Sequence, residues 1–442
     1  MPITVVGGGP VGTLLALRLA QRAAPVRVLE RRADPRQVSA ERGRSINLAL
    51  AARGLTALDA AGLTARLMPE LVPMRGRLLH DERGQCSFLP YGSRPSEVIW
   101  SISRERLNQL LLEAAGEDPR IELVFDARCL DVDPQGRILR WQSARSGEHE
   151  EPFELLLGAD GAGSAVRGAL VRRGLSHASE SALTHDYKEL SITAAAASGW
   201  PREALHIWPR GGFMLIALPN ADGSFTATLF LARNGAPSFE RLGDTLAVRA
   251  FFAEHFPDVA AALPDLEAQF LAHPQGRLAT LHCDRWQALG CVGLLGDAAH
   301  AIVPFHGQGL NAGFEDCVLL DRLLACAAPA EALLQFEQQR RPDAEAIATM
   351  ALENYEEMRQ GVRDPLFAAR AALAAQLEQQ FPARFIPRYA MVMFHPEIPY
   401  REARARGARQ SALLDELMQR AGEATPDELR ELAARLLDEH GL

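Results

Sequence analysis

The chain has 442 residues, 48% of them apolar and 23% charged, an ordinary balance for a folded protein long enough for two or three domains. Its formal net charge of −9, with no long block of one sign, argues against a nucleic-acid or anionic-membrane partner. Six cysteines, none in a CxxC or zinc-ligand spacing, read as reduced, mostly packed thiols, and no metal site is expected.

In chain order, "ITVV" (3–6) is a short β-branched run suited to a buried strand. "GGGPVG" follows, then "TLLALRLAQR", whose apolar residues recur at helical spacing, and then "VRVLE" as a second strand, so the chain opens as a βαβ unit. The apolar stretch from Ile3 to Leu17 lacks a basic leader and is broken by glycines, so it is no signal peptide. "SISRERLNQLLLEAAG" reads as a helix capped by Ser103, and "FELLLGADG" as a buried strand entering a turn. From about 168 to 277 the texture changes: "ELSITAAA", "FMLIALP" and "SFTATLFLA" predict a mainly antiparallel sheet. "QALGCVGLLGDAAH" returns to the α/β pattern, and beyond Gly309 the chain is mostly helical. Thr425, Pro426 and Glu428 form a capping box for a last amphipathic helix. No run of about 18 apolar residues is present to span a membrane.

Gly7, Gly9 and Gly12 form a G-x-G-x-x-G turn between a strand and a helix. Glycine there permits a tight turn, close approach of backbone to a pyrophosphate, and close helix–strand packing, while the helix N-terminus faces the phosphates. Glu30 ends the second strand, placed to accept the hydroxyls of an adenosine ribose. The fingerprint alone does not choose NAD or FAD, and no second full copy of it follows. "GDAAHAIVPFHGQGLNAGFEDC" (296–317) is poor in side chain, with a lone Asp297 and a glycine-led helix. Such a segment leaves room for something flat and large. The dipole of a helix starting near Gly309 favours negative charge at its N-terminus.

Three motifs in this order, the Gly7–Gly12 turn, "GADG" (158–161) followed by Arg167, and the 296–317 segment, resemble those of the single-component FAD-dependent aromatic hydroxylases. The resemblance implies an α/β fold: a discontinuous Rossmann-type FAD-binding domain, an inserted mainly antiparallel β-sheet substrate domain, and a C-terminal helical region. The FAD-binding parts are expected at 1–75, 101–167 and 278–335. The substrate domain is expected at 76–100 and 168–277, and the helical region at 336–442. "RGRSINLAL" (42–50), "RLLHD…PYG" (77–92), "SISRERLN", "DYKEL", "ENYEEMR" and "FIPRYAMV" are similar to the branch of that family that acts on kynurenine. That similarity implies hydroxylation of L-kynurenine at C3 by way of a flavin hydroperoxide. FAD would be bound non-covalently, NADPH would be a transient reductant and O2 a co-substrate. Carried over by position, cofactor contacts fall on Gly7, Gly9, Val11, Gly12, Leu29, Glu30, Arg31, Arg32, Ala49, Arg104, Tyr187, Asp297, Leu310 and Asn311. Asp297 would bond the ribityl hydroxyls, and the backbone N–H groups of Leu310 and Asn311 the isoalloxazine pyrimidine. Substrate contacts fall on Arg77, Tyr91, Asn354 and Tyr389.

Arginine suits a bidentate carboxylate, and each tyrosine can donate a further hydrogen bond to it. Asn354 has the alternative of bonding backbone. Met214, Ile216 and Phe230 fit a sheet face over a ring as well as plain core packing. No side chain is expected to act as acid, base or nucleophile, because the aniline nitrogen of kynurenine already activates its ring. His306 stands where animal members carry an aromatic residue, and is read as a packing residue. Animal members also carry a hydrophobic C-terminal anchor, and the polar helix ending at Leu442 implies a soluble, cytoplasmic form, monomer or homodimer, without a membrane partner. The alternatives are an FAD-dependent hydroxylase of another aromatic acid, or a non-catalytic FAD-binding protein. A flavin halogenase is disfavoured because no WxWxIP segment surrounds any of the tryptophans.

Overall fold

A computed structural model describes residues 1–37, 47–360, 365–420 and 426–442. Residues 42–46 of the "RGRSINLAL" motif and Thr425 of the expected capping box lie outside the described residues. Ile3–Val6 occupies an interior position in a six-stranded sheet, in the order Gln287–Ala288, Val292–Leu294, Leu156–Gly158, Ile3–Val6, Val26–Leu29, Ile121–Val124. All its pairs are parallel except the edge pair Gln287–Ala288 with Val292–Leu294. Such strands bury both faces, which is why they read as unbroken apolar runs rather than alternating ones. Helices Pro10–Ala20, Arg104–Glu117 and Gly309–Cys326 share the sheet's core, with Leu14, Leu15, Leu111 and Phe314 fully buried among its strands. Ser103 caps the second of these by accepting the Arg106 amide at 3.4 Å.

The second sheet has seven strands, in the order Gly276–Cys283, Ala178–Ile192, Phe225–Ala232, Met214–Pro219, Ala204–Pro209, Gly76–His80, Cys86–Pro90. It is antiparallel except where Ala204–Pro209 runs parallel to Gly76–His80. Its period of two divides two cores. Leu215 and Ala217 face a layer with Phe251, Phe252 and Phe270, whereas Met214, Ile216 and Leu218 face the cavity described below. That first layer is three short helices, Thr245–His255, Pro257–Ala262 and Leu266–Ala272. The mainly antiparallel sheet expected over 168–277 is present, but these helices were not among the expected elements, because the strand-rich texture before them masks the helical spacing of "VRAFFAEHF".

Beyond Gly309 the described chain is helical: Gly309–Cys326, Pro329–Gln360, Pro365–Gln380, Arg388–Phe394, Tyr400–Arg420 and Pro426–Glu439. Arg53, on helix Ala52–Ala60 and only 2% exposed, fastens this region to that helix. Its guanidinium donates to the carbonyls of Met391, Val392, His395 and Ile398, pairs with Glu315 at 2.8 Å, and lies over the Tyr400 ring. No helix among the described residues is long and apolar enough to cross a membrane.

Candidate active site

A cavity of about 860 Å³ runs between the two sheets, near the upper end of the ~300–1,000 Å³ usual for small-molecule sites. At one end stands the glycine turn. Gly7 has φ +112°, a conformation that a side chain strains, and a Cβ on Gly12 would come within 2.0 Å of the Gly7 carbonyl oxygen. Gly9, in contrast, has open space where a Cβ would point, and it lines the cavity. Helix Pro10–Ala20 starts there with proline at its first turn and no side-chain cap. The amides of its first turn are therefore left to whatever fills the cavity. Glu30, 6% exposed, accepts the Gly8 amide at 2.8 Å, the Arg32 amide at 3.0 Å and the Arg32 guanidinium at 2.8 Å. Burial opposes its ionisation, but Arg32 and the two amides outweigh this and hold the carboxyl below its ordinary range. A carboxylate has about four lone-pair positions, so it keeps capacity for a ligand hydroxyl.

The Gly296–Asp297 turn forms the next part of the wall. Gly296 has φ +56°, and its amide donates at 2.9 Å to Asp316, a fully buried carboxylate on helix Gly309–Cys326. Asp316 also accepts from His300 at 2.6 Å and from Arg340 at 2.8 Å. Burial works against its charge, yet these two partners bring it down to about 2. The turn is thus strapped to two helices, and Asp297 is left exposed at its edge, lining the cavity. Helix Gly309–Cys326 also begins at this cavity without a side-chain cap, with Gly309 and Leu310 in the wall. Two uncapped helix ends, a glycine turn open to the void and two carboxylates spaced along one wall fit a dinucleotide cofactor.

At the far end, Arg77 on strand Gly76–His80 lies between two tyrosines. Its guanidinium is 4.6 Å from the centre of the Tyr389 ring and 5.7 Å from that of Tyr91, and the two rings stack 5.7 Å apart. Among the described residues no carboxylate pairs with Arg77; burial opposes its charge, and the two phenols hold its pKa above the ordinary value. Burial also pushes Tyr91 up. Met214, Ile216, Phe230 and Phe305 line the adjoining part of the cavity, with the Phe230 and Phe305 rings 4.9 Å apart. His306, 4% exposed, stacks on Tyr389 at 5.3 Å, and its Nδ1 has no hydrogen-bond partner among the described residues. Burial, reinforced by the charges of Arg388, Arg77 and Arg53, lowers its pKa to about 3, so it is neutral at physiological pH.

Of the residues singled out from sequence, Gly7, Gly9, Val11, Leu29, Glu30, Arg31, Arg32, Ala49, Arg77, Tyr91, Arg104, Tyr187, Asp297, Leu310 and Tyr389 share this one cavity. Gly12, Asn311 and Asn354 stand behind it. The Asn311 side chain accepts from the Ala51 and Gly54 amides and donates to the Ala49 and Gly307 carbonyls, so it staples the helix start to the Ala49–Gly54 segment. Asn354 donates to the Phe305 carbonyl at 2.5 Å and bonds backbone, the alternative that its residue type left open. Part of the sparse side chain in the 296–317 segment serves packing: a Cβ on Gly313 would meet Val11 at 2.7 Å. Sequence reasoning missed Asp316, Arg340 and the wall residue Phe305. The signal for Asp316 was an acid amid small and apolar residues in "NAGFEDCVLL", where a solvated carboxylate has no place.

This fold and this cavity define a class. The chain belongs to the FAD binding domain family, whose profile matches residues 1–351. Within that class, the kynurenine 3-monooxygenase of Myxococcus xanthus (strain DK1622) is 44% identical over 435 residues, covering 98% of this chain and 94% of the relative. That of Stenotrophomonas maltophilia (strain K279a) is 46% identical over 416 residues, 93% of this chain and 91% of the relative. At this identity and coverage the family is that of the kynurenine 3-monooxygenases. Among solved structures, the tetrameric form of 2-methyl-3-hydroxypyridine-5-carboxylic acid oxygenase superposes with a TM-score of 0.68 at 20% identity, covering 85% of this chain and 97% of that one. Pseudomonas aeruginosa PqsL, in complex with 2-aminobenzoylacetate, superposes at 0.66 and 20% identity, covering 81% and 96%. These two likenesses concern the fold alone.

Proposed function

We propose that the chain is an FAD-dependent monooxygenase that uses NADPH and O2 to hydroxylate L-kynurenine at C3. The observation that carries the substrate is Arg77, a cation without a carboxylate partner among the described residues, faced by two tyrosines at the apolar end of a dinucleotide-sized cavity. Relatives of that activity at 44–48% identity support the same reading. Bound FAD supplies the oxygen-activating redox chemistry. For the cofactor, Glu30 with Leu29, Arg31 and Arg32 takes the adenosine end, and Gly7, Gly9, Val11 and Arg104 take the pyrophosphate. Gly12 keeps the helix close to its strand. Asp297 takes the ribityl chain, and the amides of Leu310 and Asn311, flanked by Ala49 and Tyr187, take the ring. For the substrate, Arg77, Tyr91 and Tyr389 hold the carboxylate, Asn354 fixes the Phe305 wall from behind, and Met214, Ile216, Phe230 and Phe305 bracket the aromatic ring and exclude water. A neutral His306 leaves the ring amine without a competing charge. We further infer a cytoplasmic location: all six cysteines are free thiols, and the relatives are bacterial.

NADPH oxidation by the flavin-loaded protein tests the proposal. L-kynurenine should accelerate it strongly and other aromatic acids weakly. Equal stimulation by an unrelated aromatic acid would move the substrate elsewhere in the class, and no stimulation by any would support a non-catalytic flavin-binding protein.

A further inference from the structure

Tyr389 faces Arg77 from the first turn of Arg388–Phe394, a helix of 7 residues. A helix that short has little stability of its own, so its position is set by tertiary anchors. Its far end is held by Arg53, which donates to the carbonyls of Met391, Val392 and His395. Its near end has a different anchor. Arg388 donates through Nη1 to Glu353, and its Nη2 lies 3.8 Å from Glu357. Both acids stand on helix Pro329–Gln360, four residues apart and so on one face. The stem of Arg388 crosses helix Tyr400–Arg420 at Gly407, where a Cβ would approach its Cδ to 2.5 Å. The same turn of the long helix carries Asn354, which holds the Phe305 carbonyl. One helical turn thus fixes two walls of the pocket: Phe305–His306 through Asn354, and Tyr389 through Arg388.

We propose that Arg388, clamped by Glu353 and Glu357, is a positioning residue that sets Tyr389 against Arg77 and thereby gives the pocket its preference for substrates bearing a carboxylate. This rests on the reading that Arg77 takes that carboxylate. Without the clamp the start of the helix can shift while Arg53 still holds its end, so the tyrosine and not the cofactor site is displaced. The ion pairs themselves are partly exposed and contribute little to global stability.

Binding of L-kynurenine and of kynurenamine, which lacks the carboxylate, to the flavin-containing protein is the test, by calorimetry. Arg388→Ala should weaken L-kynurenine about tenfold and kynurenamine by less than about twofold, with FAD content and kcat little changed. Arg388→Lys should recover part of the loss. Glu353→Gln, which retains the arginine but loosens its clamp, should shift the same preference in the same direction, and its effect should not add to that of Arg388→Ala. Unchanged L-kynurenine affinity, or equal loss for both ligands, would reduce Arg388 to an ordinary structural residue and overturn the proposal. If the parent protein binds both ligands alike, the Arg77 assignment falls and takes the clamp with it, a result distinct from a failure of the variants alone.

Discussion

Arg77 and His306 sit within one stack of rings and have opposite electrostatic requirements. Arg77 keeps its charge in a half-buried place where, among the described residues, two phenols and no carboxylate face it. If a substrate carboxylate completes it, Arg77→Ala leaves that carboxylate unpartnered, at a cost of about 2–5 kcal/mol, or roughly 30-fold or more in affinity. Arg77→Lys should restore only part, since an ammonium lacks the planar fork. FAD content should be normal. The check is a cycle of mutant against L-kynurenine and kynurenamine: strictly additive losses would show that Arg77 does not meet the carboxylate. His306 is neutral for the converse reason, burial among cations. Unfolded, it takes up a proton below pH 6.5; folded, it resists until about 3. The unfolded state therefore binds more protons across that window, and stability falls as pH drops through it, with a limiting slope of about 1.4 kcal/mol per pH unit for one proton. His306→Phe should flatten the acid side of the stability curve, read by denaturant unfolding between pH 4 and 6.5. An unaltered slope would mean that His306 is hydrated in the native state.

Among the elements, the strap between Gly296–Asp297 and helix Gly309–Cys326 governs the cofactor side. Asp316→Asn keeps the shape but removes the charge that answers both His300 and Arg340. Breaking a buried pair of this kind costs on the order of 3–5 kcal/mol. Thermal unfolding should occur at lower temperature and FAD should dissociate more readily, while the ratio of L-kynurenine to kynurenamine affinity should stay as it was. Parent-like stability and flavin retention would show that the turn does not depend on the strap. This is also the scale at which the sequence was partly silent. The βαβ opening, the Ser103 cap and the glycine-led helix were readable because each depends on a few neighbouring residues with one dominant requirement. Asp316 pairs with Arg340 across 24 positions and Arg53 reaches carbonyls beyond 390, and a pairing at long range leaves no periodic trace. The glycines in 296–317 pointed to empty space; Gly313 proved to make room for Val11 instead. The helices between 245 and 272 were missed because their apolar spacing was judged against neighbouring strands.

For the whole molecule, the two sheets contribute different halves of one cavity. The parallel sheet brings the glycine turn and the Gly296–Asp297 turn; the seven-stranded sheet brings Arg77, Met214, Ile216 and Phe230; the C-terminal helices close it with Tyr389. Chemistry at such a junction depends on holding a reacting ring beside the cofactor while excluding water. The most direct measurement supplies the flavin-loaded protein with NADPH, L-kynurenine and isotopically labelled dioxygen, and identifies the product by mass and retention. The account requires 3-hydroxykynurenine carrying one labelled oxygen atom. NADPH consumption with unaltered kynurenine, or a product hydroxylated at another carbon, would contradict it.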